Sequence, residues 1–132
     1  MSEPTIHTMH DPADGVASAS RYSQAVEVSP GKRWLLTSGQ IGYRPDGSLP
    51  ADVAGQHAQA WVNVLAALAV AGMDASNIVR VNAFVTSADE VPRFREARDR
   101  ALGAAKPAST LVVVAALVVP ELVVEIEVTA AA

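Results

Sequence analysis

The chain contains no cysteine, which removes disulfide scaffolding, thiol catalysis and thiolate metal sites together. Aromatic residues are only 5% of it, so Val, Ala and Leu must pack the core, and platforms for stacking nucleic-acid bases are scarce. Positive charge is also short: 10 basic residues against 14 acidic ones leave a formal charge of −4 and no visibly basic face, which excludes nucleic acid as the expected partner. The first twenty residues lack both the basic and the apolar stretch of a secretion signal, so a soluble, cytoplasmic protein is expected. No apolar run spans a bilayer either. The greasiest stretch, Leu111 to Val128, is cut by Pro120-Glu121 into strand-length pieces far short of the ~18–20 continuous residues required, and no membrane partner is expected.

What is present is one domain's worth of alternating elements in 132 residues. Residues 1–20 are small, polar and punctuated by Asp11-Pro12 and Asp14-Gly15, and are expected to form a flexible N-terminal arm, leaving 21–132 as a single domain. Tyr22 to Val28 alternates as a strand; after Pro30-Gly31, Arg33 to Gln40 gives a second, and the two are expected to pair as a hairpin. From Asp52 the period becomes helical: Val53, His57, Trp61, Val64, Leu65 and Leu68 form one stripe that stops at Gly72. Ile78 to Thr86 is a third strand. A second helix over Asp89–Leu102 takes Asp89 as its N-cap, which puts Pro92 in the first turn, where its missing N–H costs little. Two valine-rich strands, expected to form a second hairpin, complete β-β-α-β-α-β-β. The architecture expected is α+β, a mixed sheet with two helices on one face, its other face buried by association into a homo-oligomer.

Chemistry-bearing residues are few. His7, His10 and His57 have no metal-ligand spacing, and no metal is expected. Ser38 lacks the flanking glycine of a nucleophile elbow. The arginines of the second helix, Arg93, Arg95, Arg98 and Arg100, are interleaved with Glu90, Glu96 and Asp99 as on a solvated helix face. Glu125 and Glu127 share one face of the last strand. Either both stand in solvent or one lines an apolar pocket, where desolvation would fit it for proton transfer.

Tyr22-Ser23-Gln24-Ala25-Val26, Thr37-Ser38-Gly39-Gln40-Ile41, Ile78–Val85, Lys106-Pro107-Ala108 and Glu125-Ile126-Glu127, in this order, resemble the Rid (YjgF/YER057c/UK114) family from about residue 20 to the C-terminus. The resemblance implies a chorismate-mutase-like fold assembled as a homotrimer, a small-molecule pocket at each subunit interface, and cofactor-independent hydrolysis of imines and enamines such as 2-aminoacrylate. It also implies that Glu125 orients or activates water, while Tyr22, Ser38 and the adjacent Gly39 line the pocket. The departures carry equal weight. Ser109 stands where such proteins hold a carboxylate-gripping arginine, Leu111 where a cysteine is common, and Arg95 and Arg98 where Asn and Tyr are usual. Losing a charge-assisted pair costs about 2–5 kcal/mol, roughly 30- to several-thousand-fold in binding. The expected function is therefore a Rid-like enzyme acting on an imine, enamine or related carbonyl compound without that carboxylate handle, with Arg95 or Arg98 as the candidate substitute cation across the interface. The alternative is a non-catalytic binding or sensing trimer. A ribonuclease role is disfavoured by the acidity.

Overall fold

The computed structural model describes residues 7–132. Eight longer elements run in order: β1 (His7–His10), β2 (Ala25–Val28), β3 (Trp34–Leu36), α1 (Val53–Val70), β4 (Ile78–Val85), α2 (Val91–Leu102), β5 (Ala108–Val113) and β6 (Val124–Ala131). Short 3₁₀ turns over Ala75–Asn77 and Ala88–Glu90 lead into β4 and α2.

α1 forms where the periodicity places it. The Asp52 carboxylate accepts the Gly55 N–H at its start, and Gly72 takes a φ of 71° beyond its end. Gln56, His57, Ala60, Trp61, Val64 and Leu68 form its buried face. α2 departs from the expectation that Asp89 caps it. Ser87 caps the 3₁₀ turn by accepting the Asp89 N–H, the helix proper starts at Val91, and Glu90 occupies the cap position with its side chain turned elsewhere. Pro92 does fall in the first turn.

The main sheet is mixed, in order β3-β6-β4-β5, with β4 parallel to β5 and antiparallel to β6. Val81, Ala83 and Val85 of β4, with Val124, Ile126 and Val128 of β6, face α1 and α2 and meet Trp61 and Phe94 in one core. The α+β architecture with both helices on one face is as expected. The opposite face carries Trp34, Leu36, Asn82, Phe84, Thr110, Val112, Glu125, Glu127 and Thr129, with Leu36 still 73% exposed.

Both expected hairpins are corrected. β2 pairs with β1 in a separate two-stranded ribbon, and β3 pairs with β6. β5 and β6 do not touch as partners because β4 lies between them. Alternation fixes which side of a strand is apolar but not which strand sits beside it. The N-terminal arm is tied down over its described part: His7–His10 is paired in β1, Asp11 accepts the Gln24 N–H, and Ser18 accepts from the Gln24 side chain. Residues 1–6 of that arm lie outside the described residues.

Two polar side chains of α1 set the loops around the sheet. Gln56 donates to the Glu121 carbonyl and accepts the Val123 N–H, while Asn63 donates to the carbonyls of Ile41 and Tyr43. Gly42 permits the close approach, since a Cβ there would lie 2.8 Å from the Gln56 carbonyl oxygen. Among the described residues no helix is long and apolar enough to cross a membrane.

Candidate functional site

The two strand glutamates have different surroundings. Glu127 is half-buried and accepts from Asn82 Nδ2 at 3.3 Å on the neighbouring strand. Glu125, opposite Phe84, is also half-buried, but its carboxylate is packed beneath the backbone of Gly39. A Cβ built on Gly39 would stand 2.6 Å from Glu125 Cδ and 2.7 Å from Oε2. Gly39 is therefore required for space, not for an unusual φ.

The chain is brought over Glu125 by a bulge. Leu36 opposes Thr129 and Gln40 bridges Ile126, so four steps on one strand match three on the other. The extra residue is absorbed at Ser38-Gly39. Hydrogen bonds hold both sides of it. Thr37 exchanges bonds with Val128 through its N–H and its hydroxyl, and Gln40 exchanges both backbone bonds with Ile126 at 2.7 and 2.9 Å. The Gln40 side chain donates back to the Ser38 carbonyl, leaving the exposed Ser38 at the bulge's crest.

Tyr22, Ser109 and Leu111 belong to a different edge. Ser23 bridges Ala108 in parallel, with its N–H on the Pro107 carbonyl and its hydroxyl on that of Lys106. Tyr22 thus precedes the bridge and Ser109 follows it. Ser109 and Leu111 are in register with Val81 and Ala83, on the sheet side opposite to Glu125. β5 also lies two strand spacings, about 10 Å, from β6. The Tyr22 hydroxyl accepts the Ala19 N–H.

Arg95 and Arg98 lie on α2, across the sheet from Glu125. Arg95 is exposed. Arg98 is 3% exposed, stacked 5.8 Å above the Phe94 ring and bonded to Asp99 and Ser20. Its guanidinium anchors the segment before Tyr22 onto α2. Within one chain, neither arginine supplies a cation to Glu125.

A buried pair between the helices escapes sequence reasoning. His57, 0% exposed, donates from Nε2 to Glu90 Oε1 at 3.0 Å, and Arg93 reaches Glu90 Oε2 at 3.3 Å. Burial lowers the His57 pKa below the ordinary 6.5; the Glu90 hydrogen bond and charge oppose the shift, and Arg93 adds to it. The only signal was a histidine inside an apolar stripe, with its partner 33 residues away. The pair locks α1 to the start of α2 inside the helix layer, away from Glu125. Among the described residues no group of three or more His, Asp or Glu side chains could hold a metal ion.

The family model described as Endoribonuclease L-PSP matches residues 13–132. Protein DfrA of Myxococcus xanthus is 35% identical over 119 residues, 89% of this chain and 87% of that one. The 2-iminobutanoate/2-iminopropanoate deaminase of Escherichia coli K12 is 38% identical over 82 residues, 61% of this chain and 59% of the deaminase. Among solved structures, YyfB from Yersinia pestis, a Rid-family protein of unknown function, superposes with a TM-score of 0.86 at 29% identity, covering 96% of this chain and 98% of that one. Escherichia coli TdcF with bound serine superposes with a TM-score of 0.71 at 27% identity, covering 95% and 98%.

Proposed function

This chain belongs to the Rid (YjgF/YER057c/UK114) family, and on that footing we propose that it is an enzyme hydrolysing an imine, an enamine or a related carbonyl compound, with Glu125 as its acid/base group. One observation supports this above others. Of the two carboxylates on the open sheet face, Glu127 is engaged by Asn82, whereas Glu125 takes no hydrogen bond among the described residues and is fixed by packing under Gly39. A carboxylate positioned sterically keeps its lone pairs for a proton.

In the proposed reaction Glu125 takes a proton from the attacking water as the water oxygen bonds to the C=N carbon, and passes that proton to the nitrogen to give the carbinolamine. The carbinolamine hydroxyl then gives its proton to Glu125, which hands it to the nitrogen as the C–N bond breaks and the C=O bond forms. A carbonyl compound and ammonia leave, with no net proton change.

The two groups of site residues, Ser38-Gly39-Glu125 on the open face and Tyr22-Ser109-Leu111 at the β5 edge, come together in this reading only when the edge of one subunit meets the face of the next. The exposed Trp34 and Leu36, with Phe84 and Val112 on the same face, supply the apolar surface for a closed homotrimer. Ser109 offers a hydroxyl in place of a planar cationic fork, so the substrate is one not gripped by an α-carboxylate, and 2-aminoacrylate is a poor one.

The test is a panel of carboxylate and non-carboxylate imines assayed for ammonia and carbonyl release, with Glu125→Gln alongside. Turnover of non-carboxylate imines that Glu125→Gln abolishes while the assembly stays intact is the expected outcome. Turnover surviving in Glu125→Gln refutes the assignment of Glu125. Saturable binding with no turnover of any compound replaces the enzyme with a binding or sensing trimer.

A further inference from the structure

The two-stranded ribbon β1–β2 makes no strand pairing with the main sheet. An isolated ribbon of this kind is marginal by itself and depends on what its apolar side packs against. Here that side is formed by Met9 and Val26, with His7 beside them bonded through Nε2 to the Ala131 carbonyl. It covers a cavity of about 320 Å³ whose floor is Ile78, Leu102, Ala105 and Pro107. Met9 remains 53% exposed although it forms part of this wall. The cavity also carries Lys106, which is paired with no carboxylate among the described residues. Its position is fixed from behind, because the Ser23 hydroxyl holds the Lys106 carbonyl and the Ser23–Ala108 bridge follows directly. None of the residues assigned to the Glu125 site lines this space.

We propose that the cavity under the ribbon is a second small-molecule site, taking a compact organic anion with an apolar body and a single carboxylate. Its volume lies at the small end of the range for ligand pockets. The body replaces empty space beneath Met9 and Val26, and the carboxylate neutralises the Lys106 ammonium. The ligand completes the ribbon's missing packing, so occupancy and ribbon attachment are coupled.

3-Phenylpropionate and its uncharged counterpart 3-phenylpropanol are suitable probes, titrated by calorimetry and by NMR of the methionine methyl groups. The expected result is saturable binding of 3-phenylpropionate with a shift of the Met9 methyl and none of the buried Met73. Lys106→Met should weaken the acid about five- to tenfold, as expected for a partly solvated charge-assisted contact, and leave the alcohol unchanged. Ala105→Phe, which fills only this cavity, should abolish binding of both. Glu125→Gln should leave all of these values unaltered. An unshifted Met9 methyl, or binding unaffected by Ala105→Phe, overturns the location. Equal weakening of acid and alcohol by Lys106→Met overturns the role of the cation.

Discussion

A methyl group placed on Gly39 would lie 2.6 Å from Cδ, 2.7 Å from Oε2 and 2.9 Å from Cγ of Glu125, where carbon contacts need about 3.5 Å or more. Something must move by about 1 Å. The Glu125 side chain is the softer partner, because Thr37 and Gln40 are hydrogen-bonded to β6 on both sides of the bulge. Rotating a side chain off its preferred torsions costs about 0.5–1.5 kcal/mol, so Gly39→Ala should lower Tm by only about 2–8 °C. The same 1 Å displacement of a reacting group costs about 100-fold in rate. Gly39→Ala is thus expected to fold and assemble, and to lose about two orders of magnitude in kcat with a much smaller change in KM. Thermal denaturation and ammonia release from a non-carboxylate imine measure the two halves. Wild-type kcat in Gly39→Ala, beside an inactive Glu125→Gln, would show that Glu125 does not need its place under the bulge and would refute the positional argument.

Other outcomes bear on the rest of the structure. His57 resists protonation in the fold more than in the unfolded chain, so the unfolded chain gains the proton first as pH falls through 6.5. Stability present above that value should be lost as pH drops toward the lowered folded pKa, and urea midpoints from pH 8 to 5 should fall less steeply in His57→Gln; parallel slopes would assign the loss to other groups. Glu90→Ala leaves the buried Nε2–H of His57 without an acceptor and should cost about 1–3 kcal/mol in urea unfolding; a neutral result would mean the pair contributes nothing net. Leu36→Asp puts a charge on the open sheet face at a position already exposed in one chain, so it should dissociate the proposed homotrimer in light scattering without unfolding the subunit. Ser109→Arg should raise 2-aminoacrylate hydrolysis, and no gain would mean that the pocket differs by more than the missing fork.

The parts of the fold that sequence discloses are those whose determinants are local. α1 is legible because its stripe, the Asp52 cap and the Gly72 stop lie within twenty-one residues of one another. Strand faces are equally local: Val124, Ile126 and Val128 alternate with Glu125 and Glu127 as the pattern requires. Strand neighbours are not. Nothing in the valine-rich stretch says that β4, folded earlier in the chain, will separate β5 from β6. The site follows the same division. Glu125 is recognisable from its strand and its resemblance, but its cover by Gly39 depends on a register slip between segments some ninety residues apart. Ser109 is recognisable as a departure, while its placement on the opposite side of the sheet depends on a parallel pairing that no local pattern specifies.

The bulge at Ser38-Gly39 also changes the phase of the strand. Before it, Trp34 and Leu36 share the open face with Thr129; after it, Gln40 stands opposite Ile126, which points into the core. Amino-acid replacement can alter the side chains at the crest but cannot restore straight pairing, because the count of residues is what differs. Only a deletion could do that, and it would leave Leu36 opposite Thr129 and Gln40 opposite Ile126 while removing the crest over Glu125. The roof over Glu125 is therefore set by a residue count as much as by the missing side chain of Gly39.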